Sequence, residues 1–223
     1  NQSVGDSMSN SPFAAVVADE SGVREVIGTP MELAAKKAIP KLDKYCRELI
    51  QRSPFLTIGT ANANGKADVS PRGDQPGFVL ILDDNTIFIP ERPGNNRVDT
   101  LINITENPNV GLLFMVPGFD ETLRVNGRAS VVKDEALLER CAVKGRVPKI
   151  GVMVAIEEAY LHCAKAFRRS KLWDPDSRQD RKEMPSLGKI ILDQTAEANK
   201  PPADDEVKVV DEYIEDNYRN ELY

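Results

Sequence analysis

Between residues 55 and 132, short runs of β-branched, aromatic and aliphatic residues alternate with compact polar turns, and this strand–turn–strand rhythm restricts the fold more than any other feature of the chain. Phe55-Leu56-Thr57-Ile58-Gly59-Thr60 has the content of a strand and stops at Asn62-Ala63-Asn64-Gly65. The Asn-Gly step signals a hairpin, because glycine accepts the positive φ that tight hairpin turns demand. A return strand follows over 66–70. Residues 77–82 and 86–90 make a second hairpin around Asp83-Asp84-Asn85, and 110–116 with 122–132 make a third around Pro117-Gly118-Phe119-Asp120. Residues 152–156 read as one more strand, while the spacing from there to Trp173 fits strand and helix alike. Successive hairpins predict an antiparallel barrel closed on itself, since closure removes the unpaired edges that a small sheet exposes.

Helical spacing interrupts this pattern in a few places. Thr29-Pro30-Met31-Glu32 has the form of a capping box with proline at the first helical position. Pro40 opens a second helix whose Leu42, Tyr45, Cys46, Leu49 and Ile50 form one apolar stripe to lie on the sheet. Residues 95–107 read as a helix burying Val98, Leu101 and Ile102, with Ile104 as a further candidate, stopped by Asn107-Pro108. Asp134 caps another, reaching about Val143. Residues 1–28, polar apart from a short apolar stretch over 13–17, are expected to be a flexible arm. Residues 29–185 form the main domain, and 186–223 a helical, acidic tail with Val209, Val210, Tyr213 and Ile214 on one face.

Charge and rare residues narrow the function. The net charge is -6, and the last 23 residues, with eight acids against Lys208 and Arg219, account for all of it. That balance argues against nucleic acid as a partner, which needs a basic face. No apolar run approaches the roughly 20 residues that cross a bilayer, and the start lacks a secretory pattern, so the cytoplasm is the expected compartment. Cys46, Cys141 and Cys163 are widely spaced and odd in number, which suits reduced thiols. A single histidine, His162, leaves no H-E-x-x-H zinc site and no obvious Ser-His-Asp set, so no metal is expected and the chemistry falls to a bound cofactor.

Two segments combine arginine with compact backbone at strand ends. In Asp68-Val69-Ser70-Pro71-Arg72-Gly73-Asp74, Ser70 offers a hydroxyl, Gly73 backbone freedom, and Arg72 a planar fork of donors that matches a phosphate. Glu91-Arg92-Pro93-Gly94-Asn95-Asn96-Arg97 is read as running straight into a helix, whose first amides and dipole favour an anion beside Arg97. Each segment alone is more often a solvated turn. Arg124 and Arg128, which flank Gly127, read as an outward ladder. His162 reads as a core residue. The basic cluster Lys165, Arg168, Arg169 and Lys171 beside Trp173 suits a surface patch and an anion contact equally well.

Taken together, R-S-P-F-L-T-I-G-T, D-V-S-P-R-G-D, N-T-I-F-I-P-E-R-P-G-N-N-R, L-I-N-I-T-E-N-P-N-V-G-L-L-F and L-R-V-N-G-R-A, in this order, resemble the pyridoxamine 5′-phosphate oxidase-like FMN-binding superfamily and its PPOX-class flavoproteins. H-C-A-K-A-F-R-R-S-K-L-W-D-P resembles the closing segment of that subgroup. The resemblance implies a mainly β, α+β fold: a split antiparallel β-barrel with flanking helices, dimeric, with FMN in grooves between subunits. Carried over by position, Val69, Ser70, Arg72 and Gly73 line the ring and ribityl side, Pro90 and Glu91 follow on the neighbouring strand, and Asn95, Asn96 and Arg97 surround the phosphate. Lys165, Ser170 and Trp173 approach from the partner subunit. S-P-R-G-D stands where pyridoxamine 5′-phosphate oxidase itself carries an arginine-leucine-leucine-lysine stretch, and that enzyme's basic and histidine-bearing substrate contacts have no counterpart near the end of the chain. The resemblance therefore implies the FMN site without the vitamin B6 substrate. An FMN-dependent oxidoreductase with a donor such as NAD(P)H is the expected function, and no side chain stands out as a catalytic acid or base. A non-catalytic binder of flavin, haem or deazaflavin on the same barrel is the alternative.

Overall fold

The computed structural model describes residues 16–197 and 200–223. The start of the expected arm, including Phe13, lies outside them. The chain divides into two compact units, Asn1–Lys37 and Ala38–Tyr223. In the described part of the first are two helices, α1 (Glu20–Ile27) and α2 (Glu32–Lys36). Asp19 caps α1 by accepting from the Gly22 amide, a helix that the polar composition does not announce. The capping box at Thr29 does not form. Met31 is the N-cap of α2 and supplies no side-chain bond.

The second unit is built on one antiparallel sheet of seven strands in the order β2-β1-β5-β6-β7-β4-β3. In chain order these are β1 (Phe55–Ala61), β2 (Ala67–Gly73), β3 (Leu80–Ile81), β4 (Thr86–Pro90), β5 (Asn109–Met115), β6 (Thr122–Val132) and β7 (Gly151–His162). The three expected hairpins all pair, and Gly65 has φ 77° in the turn between β1 and β2. The expected closure does not occur by backbone pairing. β2 and β3 are the two edges, so the barrel is split along the seam between them. β3 keeps only two paired residues because the stretch before it is spent on the turn in which Gly77 takes φ 81°.

The interior follows from the alternation of each strand. Leu56 and Ile58 of β1, Leu112 and Phe114 of β5, Leu123 and Val125 of β6, and Val152 and Val154 of β7 are at most 2% exposed. Side chains of this size contribute about 1.5–3 kcal/mol each when fully buried. At the bulge between Asn126 and Gly127, a Cβ on Gly127 would lie 2.1 Å from the Ala155 carbonyl oxygen, so only glycine lets β6 and β7 approach there.

Helix α3 (Lys44–Arg52), capped by Asp43, buries Cys46, Leu49 and Ile50 in this core with Leu42 just before it. Tyr45, expected on the same stripe, is 61% exposed. Its position falls one residue before Cys46, about a quarter turn off the buried face. Helix α4 (Asp99–Glu106) is shorter than expected and begins four residues later. It buries Leu101 and Ile104 but leaves Ile102 and Val98 outside. Helix α5 (Glu135–Arg140) carries the cap expected at Asp134, which accepts from the Leu137 amide. After β7 come α6 (Lys165–Ser170), α7 (Leu187–Thr195) and α8 (Asp204–Asn220). α7 packs against α8, and Asp211 accepts from the Gly188 amide at 3.0 Å. Val209 and Tyr213 of α8 face outward.

Candidate functional site

β2 and the loop that leaves β4 meet along the seam, where they open a cleft of about 1220 Å³. Val69, Ser70, Arg72, Gly73, Pro90, Glu91, Asn95, Asn96 and Arg97 all line it. The pleat of β2 sends Asp68, Ser70 and Arg72 to a half-buried face and Val69, Pro71 and Gly73 to an exposed one. Because β2 is an edge, the cleft reaches both.

Arg72 joins the two segments. Its Nε donates to Glu91 Oε2 at 3.1 Å, and its Nη1 donates to the Ser70 hydroxyl at 2.5 Å and the Pro71 carbonyl at 2.8 Å. The side chains of the ion pair are only 14% and 22% exposed. Burial pushes the Glu91 carboxyl above its usual range even though the Arg72 charge pulls it down. Three bonds therefore fix the guanidinium, while Nη2 makes none among the described residues and remains a donor to the cleft.

A second arginine has a different task. Arg92 donates through Nε to Asp74 Oδ2 at 2.7 Å and through Nη1 to the Cys141 carbonyl at 2.9 Å. With Arg92 15% and Asp74 2% exposed, this pair is structural: it ties the end of β2 to the loop after β4 and to the end of α5. Tyr223 completes it, donating its hydroxyl to Asp74 Oδ1 at 2.8 Å beneath the Arg92 guanidinium. That bond keeps the proton on the phenol and raises Tyr223 above its ordinary value.

The third arginine is free to exchange partners. Arg97 reaches Asp99 at 2.9 Å, but the two side chains are 73% and 45% exposed. Its backbone amide donates to Asn95 Oδ1 at 3.1 Å. Around it the backbone is strained, with Asn96 at φ 59° and Val98 at φ 52°. A β-branched residue in the left-handed region is rare, and such strain is concentrated where a loop must hold a shape for a ligand. Val98 is also the N-cap of α4 and offers no side-chain acceptor. The first amides of any helix have no partner inside it, and here they open beside the cleft that Val98, Asp99, Thr100 and Leu101 line. Residues 95–97 thus precede the helix instead of forming its first turn.

The remaining three expected residues stand elsewhere in the chain. Lys165 and Ser170 lie on α6, and Trp173 just after it donates its Nε1 to the Phe119 carbonyl at 2.7 Å. Arg168 of the same cluster pairs with Asp120 at 3.1 Å. None of them lines the cleft within one chain. Conversely, residues 146–150, Asn220, Glu221 and Tyr223 do line it without having been expected there. Asp74 and Tyr223 are 149 residues apart, and no local pattern links positions so distant.

The family described as pyridoxamine 5′-phosphate oxidase matches residues 42–166, a span that holds all seven strands and both cleft segments. Among solved structures, HupZ of Group A Streptococcus aligns at 20% identity over 54% of this chain and 93% of its own, with a TM-score of 0.45. An FMN-binding protein from Syntrophomonas wolfei aligns at 15% identity over 52% of this chain and 88% of its own, with a TM-score of 0.40. A Clostridium acetobutylicum protein related to general stress protein 26, of the pyridoxinephosphate oxidase family, aligns at 16% identity over 53% of this chain and 85% of its own, with a TM-score of 0.40. No curated protein matches the chain.

Proposed function

From the premise that this chain belongs to the pyridoxamine 5′-phosphate oxidase family, we propose that it is a flavoprotein that holds FMN in the seam cleft and works as an FMN-dependent oxidoreductase. The observation that carries this reading is the uncapped start of α4, with its strained approach at Asn96 and Val98, opening beside the exchangeable Arg97. Such a set fits a dianionic phosphate: amides and dipole attract it, and Arg97 trades a solvated carboxylate for a better anion.

The rest of the cleft fits the remainder of a mononucleotide. Asn95 and Asn96 would join Arg97 around the phosphate. Val69, Ser70 and Gly73 would lie along the ring and ribityl chain, with Pro90 and Glu91 behind. Arg72, held by Glu91 and Ser70, keeps its Nη2 donors aimed without reorganisation, which is how a fixed dipole stabilises developing negative charge. When bound, the isoalloxazine supplies the uptake and return of hydride or electrons, with NAD(P)H as the donor class.

The unpaired edge of β2, where Val69 is 67% exposed, supports assembly as a homodimer, in which Lys165, Ser170 and Trp173 would reach the partner's cleft. Among the described residues no helix is long and apolar enough to cross a membrane, and a cytoplasmic location is part of the proposal. A second reading, a binder of flavin, haem or deazaflavin without turnover, draws support from the pairing of Glu91 with Arg72 and Asp74 with Arg92, which leaves neither carboxyl free as a base.

Purified protein with flavin absorbance, or uptake of added FMN, is the expected result, and Arg97→Glu should abolish it. Protein that stays colourless with excess FMN ends the proposal. Bleaching of bound flavin by NADH or NADPH, with recovery in air, selects the oxidoreductase over the binder.

A further inference from the structure

The cleft has one wall that neither arginine segment supplies. Asn220, Glu221 and Tyr223 line it where the chain leaves α8. Tyr223 is locked into the site by three separate groups. Its hydroxyl donates to Asp74, a carboxylate only 2% exposed whose other oxygen holds Arg92. Its ring lies 5.4 Å from the Arg92 guanidinium carbon. Its carbonyl accepts from Arg146, in the loop between α5 and β7. A loosely attached acidic segment would not engage a buried carboxylate, a stacked guanidinium and a second arginine with one residue.

Charge indicates how a ligand sits against this wall. Glu221 is exposed beside the cleft and would repel a phosphate, so the anionic end belongs at Arg97 and the uncharged ring system is what residues 220–223 can cover.

We propose, resting on the FMN reading above, that residues 220–223 are part of the mononucleotide site, and that Tyr223 is the positioning residue that holds this wall closed over the bound ligand. Release then requires Tyr223 to leave Asp74 and Arg146. The wall acts on retention, and it acts on the ring end of the ligand, not on the phosphate.

The test measures release and association of FMN and of riboflavin for the full chain, for Tyr223→Phe, for Tyr223→Ala and for a chain lacking residues 221–223. A hydrogen bond to a charged group corresponds to roughly 10- to 150-fold in an equilibrium constant, so Tyr223→Phe should release FMN at least about tenfold faster, and the shortened chain faster still. Association should change little. Riboflavin should respond by the same factor, which separates this wall from a phosphate contact. Unfolding midpoints of the shortened chain and of Tyr223→Phe show whether the cleft itself has collapsed; faster release with an unchanged midpoint in either one supports the wall. Release at the wild-type rate in every variant overturns the inference and leaves the FMN reading intact. Tighter binding after shortening also overturns it, because the segment would then be a plug. A full chain that binds neither FMN nor riboflavin removes the FMN reading, and this inference with it.

Discussion

Replacing Arg97 by alanine should separate ligand binding from folding. Arg97 is 73% exposed and its partner Asp99 45%, and exposed pairs of this kind contribute about 0–1 kcal/mol to stability. The variant should therefore unfold in urea within about 1 kcal/mol of the parent. A contact between Arg97 and a phosphate is a charge-assisted hydrogen bond, with a net contribution of roughly 1.5–3 kcal/mol. Its loss should raise the Kd for FMN by roughly 10- to 150-fold. Riboflavin carries the same ring and ribityl chain without the phosphate, so its affinity should stay close to that of the parent. Flavin fluorescence titrations of both proteins with both ligands yield the coupling between Arg97 and the phosphate directly. An equal loss for FMN and riboflavin, or no loss for either, would refute the assignment of residues 95–97 to the phosphate.

Three further outcomes follow from the same geometry. Asp74→Ala leaves Arg92 buried without its counter-ion and should cost about 3–5 kcal/mol in urea unfolding, whereas Asp99→Ala should stay within about 1 kcal/mol; similar values for the two would contradict the structural role of the Asp74–Arg92 pair. Burial raises the Glu91 carboxyl in the folded protein, so its stabilising contribution is complete below the ordinary value of 4.5 and is lost as pH climbs through the raised one; Glu91→Gln should therefore gain stability relative to the parent as pH rises from 4.5, and a parent that instead gains on the variant reverses the sign. Cys46 is buried with its thiol pushed up to about 11, and Cys141 is buried and raised as well, while Cys163 is exposed; mass spectrometry after brief alkylation of native protein should find Cys163 modified and the other two intact until denaturant is added.

Much of this architecture was legible locally. Hairpins declare themselves through adjacent residues, so Asn64-Gly65 and the turn at 83–85 located β1 to β4 within a few residues. Alternation within 110–116 and 122–132 gave β5 and β6 almost to the residue for the same reason. Both cleft segments were visible as arginine with compact backbone at strand ends, but neither was specific alone, and the resemblance of the ordered motifs was what joined them into one site. Closure of the sheet was not legible: whether β2 pairs with β3 depends on long-range geometry, and the short β3 leaves a seam. The start of α4 was misread because Asn95 and Asn96 are compatible with a helix, yet Asn96 and Val98 take left-handed backbone. The wall at 220–223 was invisible, since Tyr223 meets Asp74 only through tertiary contact, and an acidic tail without a neighbour reads as solvated.

Diffraction from crystals of the chain grown with FMN tests the central claim most directly. The account predicts phosphate density within hydrogen-bonding distance of Arg97 and the first amides of α4, with the ring system extending along residues 70–73. Density for FMN elsewhere, or a cleft without it at saturating ligand, would contradict the account.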